Sequence, residues 1–160
     1  MRKPALLILV SVALLLQGCG FKLRGKVELA PVLESVYVEG RDPDLVSELK
    51  DSLEFSGAQI VQSADAGTSA ILLDSRYERE VRTLDARGLA TGYELRYDAR
   101  FAVVTPEGQQ IYRSPVITLK RPFDFDSTQV LQKESEEEFL IEEMRSQIVQ
   151  RMMRQLSSIR

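Results

Sequence analysis

Residues 70–119 read AILLDSRYEREVRTLDARGLATGYELRYDARFAVVTPEGQQIYRSPVITL, and their period decides the fold. Successive side chains of a strand point to opposite faces, so alternation of period two marks a sheet with one buried side. Ile71, Leu73, Tyr77 and Val81 fall on one side of a first strand, and Arg76, Glu78, Glu80 and Arg82 on the other. A second strand sets Tyr93, Leu95, Tyr97, Ala99, Phe101 and Val103 against Glu94, Arg96, Asp98 and Arg100. Thr105-Pro106-Glu107-Gly108 is a turn, and a third strand over about Gln110–Lys120 turns Ile111, Ile117 and Leu119 inward and Tyr112, Thr118 and Lys120 outward. Pro115 has no amide hydrogen to donate, so an edge or a bulge is expected there.

Long strands with one apolar face require a cover. From about Val130 to Ser158 there is neither proline nor glycine. Over that stretch Ile141, Met144, Ile148, Met152, Leu156 and Ile159 recur at three and four, the spacing of one helix face. Ser127 or Thr128 is expected to cap this helix, and the acidic run 134–138 suits its positive end. The run reads as a solvated face, and Met144, Met152 and Met153 as core.

Upstream, Ser35–Glu39 reads as a short strand. Asp42-Pro43 supplies an N-cap and a first-turn proline for a helix over about 43–55, with Leu45, Val46, Leu49 and Leu53 on one face and Gly57 as its stop. A short strand over Gln59–Gln62 follows. The class is therefore α+β: a two-layer sandwich in which a mixed sheet with long antiparallel strands is covered on one face by two helices. The strand order is not readable.

The front of the chain has another character. Arg2 and Lys3 precede an apolar run from Ala5 to Leu16, the length of a signal-peptide core and short of the roughly 20 residues that span a bilayer. Leu16-Gln17-Gly18-Cys19 resembles a bacterial lipobox, with Gln17 in place of the usual small residue. Cys19 is the one cysteine in the chain. It is the expected site of a covalent diacylglycerol and an N-acyl chain, and two or more chains anchor a protein stably where one does not. Gly20, rather than an aspartate, favours the outer membrane over the inner. The expected organisation is a signal peptide over 1–18, a lipidated extended tether over 19–34, and one domain over 35–160.

Without Arg2 and Lys3 the 21 basic side chains become 19 against 24 acidic ones, a net charge of −5. That excludes a general nucleic-acid binder, which needs a basic excess. The chain has no histidine, which excludes Ser-His-Asp and Cys-His catalysis and histidine-rich zinc sites. No phosphate-binding glycine loop or calcium loop is present. Asp74 and Asp98 point the same way on neighbouring strands, either as a carboxylate pair for hydrolysis or, more simply, as partners of adjacent arginines. No enzyme, metal or non-covalent cofactor is expected.

Cys19-Gly20-Phe21-Lys22-Leu23-Arg24-Gly25 resembles the C-G-[FW]-x-L-R-[GD] start of the lipopolysaccharide-assembly lipoprotein LptE family. Gly92-Tyr93 at a long strand, Arg121-Pro122-Phe123-Asp124 before the last helix and Glu142-Glu143-Met144 within it add to the likeness. The resemblance implies an outer-membrane lipoprotein at the periplasmic face that plugs and helps assemble the LptD β-barrel and binds lipopolysaccharide during its insertion. It also implies that Arg87 and Lys133 bind the glycolipid, and Lys120 and Arg121, with Arg82 and Arg96, would extend a patch for its phosphates. Reversing Arg87 and Lys133, both read as exposed, is expected to leave folding nearly intact. The alternative is a periplasm-facing lipoprotein adaptor of another envelope machine.

Overall fold

The computed structural model describes residues 28–126 and 128–159. The lipobox, Cys19 and the Cys19–Gly25 motif lie outside them. Among the described residues six strands and two α-helices follow in the order β1 (Ser35–Gly40), α1 (Pro43–Phe55), β2 (Gln59–Ile60), β3 (Ser69–Leu84), β4 (Ala90–Val104), β5 (Gln110–Arg113), β6 (Ile117–Asp124) and α2 (Val130–Leu156). The sheet runs β2-β1-β3-β4, with β5 and β6 both on the far edge of β4. β1 is parallel to β2 and β3, and the remaining pairs are antiparallel. It is thus mixed, and both helices lie on its apolar face.

The frame is the β3–β4 hairpin, whose register runs from Ala70 opposite Val104 to Leu84 opposite Ala90. Alternation places Leu95, Tyr97, Ala99, Phe101 and Val103 in the core and leaves Arg100 exposed. From α2 come Met144, Ile148, Val149, Met152, Met153 and Leu156, and from α1 Leu45, Leu49 and Leu53. Fully burying one such side chain contributes roughly 1.5–3 kcal/mol, so the two helix faces are the main source of stability. Met144, Met152 and Met153 are core, as the helical spacing predicts.

α1 starts where Asp42-Pro43 says it should. Asp42 Oδ1 accepts from the amides of Asp44 and Leu45, both at 3.1 Å. Gly57 follows the helix end with φ +101°, a conformation open to glycine at no steric cost. α2 is different, because its N-cap is Gln129 with no side-chain cap. Asp126 instead organises the turn ahead of it, its Oδ1 accepting from Thr128 N at 2.8 Å and Thr128 Oγ1 at 2.7 Å.

Four further expectations are revised. The strand over Gln110–Lys120 is two strands, because Pro115 breaks it; β6 then continues through Arg121-Pro122-Phe123 to Asp124, ahead of the last helix. The break also shifts the phase: Tyr112 opposes Val103 and packs on Phe101 with ring centroids 5.6 Å apart, so it faces inward, while Ile111 is exposed. β2 is only Gln59–Ile60. Within the expected tether, Pro31–Leu33 forms a 3-10 turn and Leu33 is fully buried, so this part belongs to the domain.

Candidate functional site: the hairpin tip and the charged sheet face

Near its turn the hairpin outruns its helical cover. Val81 lies on the helix side of β3 yet is exposed, as are Leu84 and Leu89 on either side of the turn. That turn is tied by Asp85, whose Oδ1 accepts from Arg87 N at 2.8 Å and Leu89 N at 2.9 Å. The Leu89 amide, ahead of other causes, holds the Asp85 carboxyl below the usual aspartate range. Gly88 closes the turn at φ +78°. Gly92 permits a close approach of the strands, since a Cβ there would run into Thr83 Oγ1.

Arg87 projects from this turn with its side chain 77 % exposed, bound to Asp85 Oδ2 at 3.0 Å. Lys133, in the first turn of α2, is only 18 % exposed; it bonds Glu136 at 2.7 Å and lies 5.7 Å from the centre of the Phe123 ring. Phe123 opposes Tyr93 and, with Phe125, forms an aromatic cluster beneath the start of α2. Arg79 caps it from the other side, 4.4 Å over the Tyr93 ring and 2.7 Å from Glu137. Glu137 also accepts from Tyr77 Oη at 2.8 Å, and burial followed by this bond pushes the Tyr77 phenol well above its ordinary range. One member of the acidic run is thus a structural acceptor rather than a solvated charge.

The remaining basic candidates do not form one patch. Arg121 is on the helix side of β6 and reaches Gln147 of α2 at 3.0 Å, with Glu143 3.8 Å away. Lys120 is on the opposite side of the sheet, 2.5 Å from Glu94, and it is the first cause of a lowered Glu94 carboxyl. Arg96 lies on that outer side by strand alternation, and Arg82, at the irregularity between Val81 and Thr83, acts on the same Glu94 carboxyl. There Arg96 bonds Asp98 at 2.9 Å, Arg100 bonds Asp74 at 2.6 Å, and Thr118 bonds Asp98 at 2.6 Å. Asp74 and Asp98 are therefore held in charge pairs. Among the described residues no group of acidic side chains is placed to hold a metal, and no helix is long and apolar enough to cross a membrane.

Sequence reading missed Arg79, the exposed Leu84 and Leu89 of the hairpin tip, and the exposed Leu131 and Phe139 of α2. For the two leucines a signal existed: apolar residues flanking the turn Asp85-Ala86-Arg87-Gly88, where polar ones are the norm.

What fold and surface define is a two-layer α+β domain with an amphipathic hairpin tip and a mixed-charge outer sheet face. A family model described as LptE, lipopolysaccharide-assembly, matches residues 33–156, and the chain belongs to that family. It is 32 % identical over 165 aligned residues to the lipopolysaccharide-assembly lipoprotein LptE of Yersinia pestis (strain Pestoides F), covering 99 % of this chain and 78 % of that one. Among solved structures it is similar to lipoprotein B of Nitrosomonas europaea, with TM-score 0.71, 29 % identity and coverage of 87 % and 91 %. It is also similar to the rare lipoprotein B of Shewanella oneidensis, with TM-score 0.63, 26 % identity and coverage of 78 % and 94 %.

Proposed function

We propose that this chain is an outer-membrane lipoprotein, held at the periplasmic face by acyl chains on Cys19, that seats in an LptD β-barrel as plug and assembly factor. In that position it binds lipopolysaccharide and helps its insertion into the outer leaflet. The observation that carries this reading is the division of the surface within a chain of the LptE family. The sheet's outer face is polar, with charges of both signs paired off, which suits contact with a polar barrel lumen. The tip pairs exposed Val81, Leu84 and Leu89 with Arg87, and Lys133 lies on the adjoining start of α2. Apolar area beside cations is the complement of a phosphorylated glycolipid, whose acyl chains and phosphates must be met together. Arg121 faces the helix side of the sheet but is held by Gln147 further along α2, and Lys120 faces away.

Purification of the native protein from detergent-extracted outer membranes tests the reading. A large β-barrel is expected in stoichiometric company. A protein always recovered free of one, from membranes in which the barrel is present, would end it.

A further inference from the structure

The last two turns of α2 carry Arg151 and Arg154, both exposed, and neither makes an ion pair among the described residues. Three residues apart on a helix, their side chains are neighbours. They border a groove of about 590 Å³ between α2 and β6, where Thr118, Gln155 and Ser158 complete the polar wall, and among the described residues no acidic side chain lines it. A second concavity of about 530 Å³ continues past the same two arginines, with Glu143 as its one acidic neighbour. Gln155 Oε1 lies buried beside them with no hydrogen-bond partner. On a domain with an acidic excess, this is an unneutralised basic pair in a polar cleft next to an unmet acceptor.

The place of the groove in the fold says where its ligand would come from. The chain reaches the sheet at the end of the hairpin opposite the tip: Val32 O accepts from Ser69 Oγ at 2.7 Å and Thr68 Oγ1 at 2.9 Å, just before β1. α2 sets out near the tip, after Asp124 opposite Gly92, and travels towards that same end. Arg145 has already reached Asp44 at the start of α1, and Leu156 joins Leu33 in the core. The nine residue-to-residue steps from Cys19 to Glu28 span at most about 30 Å.

We propose that this groove is a phosphodiester site that takes the headgroup of an anionic phospholipid, of the phosphatidylglycerol kind, from the bilayer holding the anchor. The proposal rests on the lipoprotein reading above. Two guanidinium forks match the two free oxygens of a phosphodiester, in the geometry that makes arginine the preferred phosphate ligand. The groove opens on solvent along β6, so a headgroup can enter without its acyl chains leaving the membrane. The site would fix the domain's orientation at the end away from the glycolipid tip.

The test uses the native acylated protein in phosphatidylcholine nanodiscs with and without added phosphatidylglycerol, read by hydrogen exchange over residues 150–159. Basic residues at an anionic surface and a ligand bound only to the folded end predict exchange there slowed about tenfold in the anionic discs. The slowing should vanish in Arg151→Gln/Arg154→Gln, whose unfolding midpoint should stay at the wild-type value. Equal rates in the two discs, or slowing that survives in the variant, overturn the proposal. Inorganic phosphate at fixed ionic strength is added to the neutral discs; if it alone reproduces the slowing, the headgroup is overturned as the occupant. Intact mass of the same sample reports the acyl chains on Cys19. Their absence defeats the lipoprotein reading and not the site, since the disc comparison stands with protein added from solution.

Discussion

Asp42 performs two tasks with one carboxylate: Oδ1 caps α1, and Oδ2 accepts from the buried Tyr97 hydroxyl of β4. Burial and then this bond raise the Tyr97 phenol well above its ordinary range. Removing a cap costs about 1–2 kcal/mol and stranding a buried hydroxyl about 1–3 kcal/mol more. Asp42→Ala should therefore destabilise by about 2–4 kcal/mol in urea unfolding, and Tyr97→Phe by about 1 kcal/mol. A double variant below the sum of the singles measures the shared bond. Asp85 carries the pH dependence of the tip. Its folded pKa is depressed below the aspartate value of 3.8, so its contribution is whole above that value and is lost as pH falls through the folded pKa. The Leu89 amide shift should be flat over about pH 5–8 and should titrate only below 3.8; Asp85→Ala should abolish the titration. The cap was legible because Asp-Pro carries a local mechanism. The Tyr97 bond joins residues 55 apart in sequence, and local pattern contains nothing about it.

At the level of elements, α2 decides whether the sheet has a cover at all. Ile148 is fully buried among residues of both layers. Ile148→Ala should cost about 2–5 kcal/mol through lost transfer energy and a cavity. Ile148→Asp buries an unpaired charge whose cost approaches the stability of a whole domain, about 5–15 kcal/mol. Circular dichroism should show the alanine variant folded with a lower midpoint and the aspartate variant unfolded at room temperature. Periodicity revealed α2 and the β3–β4 hairpin because each buries one face over many residues, which repeats the signal. β5 and β6 were blurred into one strand because Pro115 shifts the phase by one residue, and four residues of β5 are too few to show it. The cap of α2 was misplaced for a related reason: Asp126 satisfies the turn before the helix instead of the first helical amides.

The whole molecule presents two surfaces on opposite structural terms, and they can be separated. On the outer sheet face the charges neutralise one another, so exchanging Asp74 and Arg100 as Asp74→Arg/Arg100→Asp keeps the pair and should change stability by less than about 1 kcal/mol. A rigid partner wall reads each sign in place, and like-charge contact across an interface costs affinity. At the tip, reversing both cations is no longer harmless. Lys133 is largely buried against Phe123, and an acid there would face Glu136 and Glu137 one turn on. Arg87→Glu with Lys133→Gln removes the phosphate partners while avoiding that repulsion. If the proposed function holds, the tip variant should lose lipopolysaccharide binding about tenfold or more while still co-purifying with the barrel. The face variant should lose the barrel and keep the glycolipid, and both should melt near the wild-type temperature. A tip variant with unaltered glycolipid affinity removes Arg87 and Lys133 from the site. A face variant that still co-purifies moves the barrel contact off this sheet face, since no other change in that variant touches the tip.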